Sequence, residues 1–152
     1  MKRHEAIIPL SHDHHQALRF ATAMKKNASP TKRALQSLDE KLADAKRTYE
    51  IELVPHFAHE EEVLFPVARG YSAELDKMLD DIIEEHRIIR EAFENIEDGN
   101  LEDNLDRIGS LVEKHVRTEE RSLFEKIQEV VPDEKLKEIV GKIFPVKDSC
   151  DI

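Results

Sequence analysis

One pattern occurs twice in the chain and limits what it can fold into. The run from His56, HFAHEEEVLF, and the run from His115, HVRTEERSLF, share His, Glu, Glu, Leu and Phe at offsets 0, 4, 5, 8 and 9, and lie 59 residues apart. On an α-helix residues i and i+4 are only about 40° apart, so each run stacks a histidine over a glutamate on one face. A spacing of 59 residues is too long for an ordinary solenoid unit. Pseudo-twofold symmetry between the second and fourth helices of a bundle accounts for it.

The rest of the sequence agrees with helices. Four glycines and no tryptophan in 152 residues argue against a turn-rich β sandwich or barrel. Leu, Ile, Glu, Lys and Ala dominate, and these favour helix. The first helix is expected from about Leu10 to Asn27, with Ser11 as its cap and Asp13 in its first turn. After the break at Ala28–Thr31, with Thr31 placed to cap the next segment, a second helical stretch runs from about Lys32 to Ala68. Pro55 either kinks or divides it. Gly70 to Ser72 breaks the chain again, with Ser72 as a cap. The third helix spans about Ala73 to Glu97, ended by Asp98-Gly99-Asn100. The fourth spans about Glu102 to Val130. A short fifth runs from Asp133, after Pro132, to Phe144, before Pro145. The expected fold is all-α: an up-down four-helix bundle with a short C-terminal fifth helix, forming a single domain over 1–152 with its core at about 10–130.

Helical phase then shows which polar residues turn inward. On the second helix Leu53, Val63, Leu64 and Val67 share a face with Glu60 in its middle and His56 at its edge, while Glu61 and Glu62 point away. On the fourth, Leu105, Ile108, Val112 and Leu123 share a face with His115 and Glu119, and Glu120 turns outward. His86 flanks the stripe of Leu79, Ile82, Ile89, Phe93 and Ile96 on the third. On the first, His14 lies nearer the side marked by Leu18, Phe20, Ala21 and Met24, and His15 is its alternative. A glutamate on an apolar stripe is costly unless it is paired or metal-bound. Imidazole and carboxylate are the ligands of non-haem iron, and inward Glu and His build di-iron sites in bundles.

These residues resemble the hemerythrin-like family, also called the HHE cation-binding domain. The family pattern is a His on the first helix, H-x-x-x-E on the second, a His on the third and H-x-x-x-E on the fourth. Here His14 or His15, His56 with Glu60, His86, and His115 with Glu119 match it, over roughly Leu10 to Lys126. The resemblance implies two iron ions in an oxo- or hydroxo-bridged non-haem centre, with zinc as a possible substitute. It implies a small diatomic or peroxide ligand: O2, peroxide or NO. Oxygen carriers of the family have a further His one turn after the third-helix ligand. Arg90 stands there instead, which leaves an extra open coordination position and suits turnover at least as well as carriage. The alternative function is a non-catalytic module that stores, buffers or senses iron.

The remaining polar residues have plainer readings. His12 and His59 are flanking groups or supports for the ligands, and His59, three residues after His56, could donate to a ligand carboxylate or supply a missing ligand. His4 is solvated, and Glu61 and Glu62 belong to a solvated face. Phe57, Phe65, Phe93 and Phe124 are core or rim packing. Cys150, the only cysteine, excludes an internal disulfide and a Cys-based zinc site. The net charge of −10 and the lack of any basic run argue against nucleic acid and anionic membrane as partners. No apolar run is long enough for a signal-peptide core or a membrane span, so a cytoplasmic protein is expected.

Overall fold

Pro30, Gly70, Gly99 and Pro132 stand in the breaks between helices, whereas Pro9, Pro55, Pro66 and Gly109 lie within them. The structure, a computed structural model, describes residues 2–148, and Cys150 lies outside them. The described residues form helices and turns, with no strand among them.

Helix α1 is Ile8–Met24. It starts two residues before the expected position because Pro9 fits its first turn, where a missing N–H costs least. Ser11 is therefore inside the helix and caps nothing; its hydroxyl donates to Glu120 Oε2 at 3.0 Å. Helix α2 covers residues 38–68, later in onset than Lys32. Its cap is Ser37, in a reciprocal capping box with Glu40. Thr31 caps only a turn, accepting from the Ala34 N–H at 3.1 Å.

Pro55 does not divide α2. The winding loosens to a π turn at Tyr49–Leu53 and again at Glu60–Leu64. Pro55 and Pro66 each stand at the start of the α-helical stretch that resumes after a π turn, Val54–His59 and Phe65–Ala68. At that position a proline forfeits little of the helical ladder. Helix α3 is Ala73–Glu94, capped by Ser72 as expected but ending three residues before Glu97. Helix α4 covers residues 101–130, with a third π turn at Glu119–Leu123. Helix α5 is only Asp133–Lys137. Beyond it the chain passes through short turns to Gly141, whose φ of 85° ends any helix.

Pairs along the helices fix their directions. Arg3 meets Glu120 and Lys25 meets Glu113, so α1 runs antiparallel to α4. Lys46 meets Glu97 and Arg69 meets Asp80 between α2 and α3. Glu74 meets Lys126 and Asn104 donates to the Ile96 carbonyl between α3 and α4. The backbones of α1 and α4 approach closely at Gly109, where a β-carbon would lie 2.5 Å from the Ala21 carbonyl oxygen on α1.

The apolar core forms two clusters. One holds Ile7, Leu10, Leu64, Phe65, Leu79, Leu123 and Ile127 and is closed by Leu136 of α5. The other holds Phe20, Met24, Leu53, Ile89, Phe93, Leu105 and Val112. Between the residues given to one cluster and those given to the other fall His14 on α1, Glu60 on α2, His86 on α3 and Glu119 on α4. A polar layer thus crosses the middle of the bundle. None of the helices among the described residues is long and apolar enough to cross a membrane.

Candidate metal centre

The polar layer is made of His14 on α1, His56 and Glu60 on α2, His86 on α3, and His115 and Glu119 on α4. All six are buried, and Glu60, His86 and Glu119 are wholly so. Their donor atoms form two groups, each within 4.8 Å: His14, His56, Glu60 and Glu119 in one, and Glu60, His86, His115 and Glu119 in the other. Both glutamates belong to both groups, in the manner of carboxylates that bridge two ions.

Every inward atom points at another ligand-type atom. His56 Nε2 lies 3.4 Å from Glu60 Oε1, and His86 Nε2 lies 3.1 Å from the same oxygen. His115 Nε2 is 2.5 Å and His86 Nε2 3.8 Å from Glu119 Oε1. His14 Nε2 is 3.7 Å from Glu119 Oε2. The Nε2 atoms of all four histidines and all four glutamate oxygens are buried without a properly aligned hydrogen bond. Buried polar atoms are rarely left in that state, and here eight converge on one place. Metal ions would satisfy them together. The residues present therefore fit the group that the pattern implies.

The outward ring nitrogens are held by carboxylates. His56 Nδ1 donates to Asp13 Oδ2 at 2.8 Å, His86 Nδ1 to Glu61 Oε2 at 2.6 Å, and His115 Nδ1 to Glu85 Oε1 at 2.8 Å. Glu120 Oε1 is 3.4 Å from His14 Nδ1. A carboxylate can only accept, so the Nδ1 atoms of His56, His86 and His115 carry a proton, and an Nε2 without its proton turns a lone pair inward, as a metal ligand must.

The charges are arranged to match. Burial raises Glu60 well above the usual carboxylate range, and the facing Glu119 raises it further. Glu119 is buried too, but the positive charge of His115 beside it and the polar groups around it hold it ionised, well below the ordinary value. Without metal the pair thus shares one negative charge, with the proton on Glu60. Burial would depress His115, but Glu119 and Glu85 outweigh it and push its imidazolium up to about 9. Burial keeps His56 below its ordinary value despite Asp13.

Not every residue expected here belongs. His15 is exposed, since one residue further along α1 turns a side chain by about 100°. His12 is exposed as well. His59 is half-buried with an unpartnered Nδ1 but joins neither group. His4 is not solvated: its Nε2 meets Asp133 at 2.8 Å and its Nδ1 accepts from the Ala6 N–H. Arg90 pairs with Glu61 at 3.0 Å and lies over the Phe57 ring, so it braces the layer from outside. Phe57 stacks on His86 and Phe124 on His14, and Phe65 lies near His86; Phe93 instead packs with Phe20 and Tyr49.

The four supporting carboxylates are what sequence reasoning missed. Helical phase points Glu61 and Glu120 away from the core, yet they reach back around the helix to a ring on the neighbouring one. Asp13 and Glu85 each immediately precede an inward histidine, at His14 and His86. That shared Asp/Glu-His step is the signal that could have revealed them.

A family model described as the Hemerythrin HHE cation binding domain matches residues 6–127. No curated protein and no solved structure matches the chain.

Proposed function

Since the chain belongs to the hemerythrin HHE cation binding domain family, we propose that it holds two non-haem iron ions and binds or reacts with O2, peroxide or NO. One observation supports this most: two four-residue groups share Glu60 and Glu119, and their inward atoms are unpaired. His14 and His56 would hold one ion, His86 and His115 the other, and the two carboxylates would bridge them. The bundle then reads as an up-down four-helix type carrying α5 as a fifth element.

Bound iron would supply redox chemistry and open positions for a small ligand. Six protein ligands do not fill two octahedral ions, and Arg90 adds none. The chain's own part is to fix the rings through Asp13, Glu61, Glu85 and Glu120 and to exclude water with Phe57, Phe65 and Phe124. The expected setting is the cytoplasm, with a small molecule as partner.

Elemental analysis of freshly purified protein is the first test, and two irons per chain are expected. The protein is then loaded anaerobically with ferrous iron and exposed in turn to air, hydrogen peroxide and NO. A reversible change in the visible spectrum indicates carriage, and consumption of the added molecule indicates turnover. Iron uptake with no response to any of the three favours storage, buffering or sensing instead. A chain that takes up no metal overturns the proposal.

A further inference from the structure

The polar layer has twofold pseudosymmetry, but the groups behind it do not. The pair Asp13–His14 on α1 matches Glu85–His86 on α3, and His56 with Glu60 and Glu61 matches His115 with Glu119 and Glu120. The supporting bonds obey the same rule: Asp13 holds His56 as Glu85 holds His115, and Glu120 faces His14 as Glu61 holds His86.

Behind the His14–His56 half both ends of the chain close in. Asp13 is 3% exposed, and its second oxygen accepts the Val146 N–H at 2.8 Å, from the segment that follows α5. Glu120 accepts from the Arg3 guanidinium at 2.9 Å and from the Ser11 hydroxyl at 3.0 Å. Arg3 also lies over the Phe124 ring that stacks on His14. Residues 3 and 146 therefore reach the two carboxylates behind the same half-site.

The His86–His115 half has no such cover. The Glu85 side chain is 34% exposed and has no partner among the described residues except His115. Glu61 is backed by Arg90 of the adjacent helix alone. A cavity of about 150 Å³, lined by Glu85, Ile88, Ile89, Leu111, Lys114 and His115, leads between α3 and α4 to the His115 ring. A larger cavity of about 500 Å³, bordered by Gln16, Arg19 and Glu52, touches none of the six inward residues and gives no matching route to the other half.

We propose that the two metal positions exchange unequally: the His14–His56 position is shut by the two chain ends and releases its ion only when they lift, whereas the His86–His115 position exchanges through the cavity beside Glu85. The proposal rests on the two-ion reading above. Residues 2–4 and 143–148 lie outside the helices, and stretches without a helical ladder open more readily than the core, so lifting one of them is the least costly way to free Asp13 or Glu120. By linkage, an ion in the first position also tightens the docking of both ends.

The test uses the full chain loaded anaerobically with two ferrous ions and mixed with excess chromogenic ferrous chelator. Release in two phases of equal amplitude, at least about tenfold apart in rate, is expected from the scale of outer-shell effects on metal sites. Val146→Pro removes the amide proton while keeping apolar bulk, and should speed the slow phase by roughly tenfold and leave the fast phase alone. Val146→Ala keeps the N–H and should change the slow phase far less. Leu111→Phe, which fills the small cavity, should slow only the fast phase. If Val146→Pro does not fold, Arg3→Gln frees Glu120 and reads out the same slow phase. Two ions leaving in a single phase, or a Val146→Pro variant that speeds both phases equally, overturns unequal exchange and leaves the metal reading standing. A chain that binds no iron overturns both.

Discussion

Metal should stabilise this protein more as pH rises, and the structure sets the size of the effect. Without metal the site stores protons that an ion must displace. His115, pushed up to about 9, keeps its Nε2 proton throughout the neutral range. Glu60, raised well above the usual carboxylate range, keeps its own up to its folded pKa. Both raised values stabilise the metal-free fold fully only below the unfolded values. That contribution fades as pH climbs past about 4.3 for Glu60 and about 6.5 for His115, and is gone above the folded values. The metal-loaded fold has already surrendered both protons and escapes this loss. Each displaced proton is worth about 1.4 kcal/mol per pH unit, so one to two protons widen the gap by about 1.4–2.7 kcal/mol per unit. For a chain of this size that is about 3–11 °C of melting temperature per pH unit. The assay is thermal melting by circular dichroism from pH 5.5 to 8, anaerobically, with either chelator or buffered free ferrous ion. Titration calorimetry in two buffers of different ionisation heat should count the same one to two protons released at pH 7. A gap that stays flat or narrows with rising pH would refute the reasoning, since ions bound elsewhere would displace no protons here.

Five substitutions address the site and the fold separately. Glu60→Ala or Glu119→Ala should lower iron to one ion or fewer per chain by elemental analysis, and two ions retained in both variants would exclude bridging. His14→Ala should lose iron and its absorption spectrum while His15→Ala keeps both, and the reverse result would restore His15 as the ligand. Gly109→Ala places a β-carbon 2.5 Å from the Ala21 carbonyl, so α1 must retreat by about 0.9 Å to reach ordinary contact. That should cost about 1–3 kcal/mol and lower the melting temperature by roughly 2–12 °C, and wild-type melting would show that α1 yields freely.

The helices were legible in the sequence, and their ends much less so. Leucine and isoleucine stripes mark α1 to α4 because burial of one face is what holds a helix in a bundle. Ends depend on individual hydrogen bonds. Ser11 has the character of a cap, yet Pro9 allows the helix to begin earlier and leaves the Ser11 hydroxyl free for Glu120. Ser37 with Glu40 could have been read as a capping box, but the helical character of residues 32–36 conceals it. The segment after Lys137 has helical composition, and the positive φ of Gly141 overrides it.

The π turns show where periodicity alone stops working. A regular winding from Leu53 puts Val63, Leu64 and Val67 inside with Glu60. The structure buries Leu64, Phe65 and Ala68 and leaves Val63 and Val67 partly exposed, a delay of one residue. The π turn at Glu60–Leu64 causes it: the Phe65 N–H bonds to the Glu60 carbonyl, five residues back, so the turn holds one extra residue. The turn at Glu119–Leu123 does the same for Leu123, Phe124 and Ile127. These two π turns, unlike the one at Tyr49–Leu53, begin at the glutamates proposed to bridge, immediately after the i, i+4 step from the histidine. Before the turn, regular winding stacks His over Glu. After it, the extra residue brings Phe65 or Phe124 round to wall the site and lets Leu64 or Leu123 join the apolar cluster. The repeated offsets of 0, 4, 5, 8 and 9 therefore combine a helical step with a loosened one. They include Glu61 and Glu120 because the residue after each inward glutamate reaches a ring on the next helix. A straight helix could place the ligand pair, but only the loosened turn lets one short run supply ligand, ring support and apolar wall together.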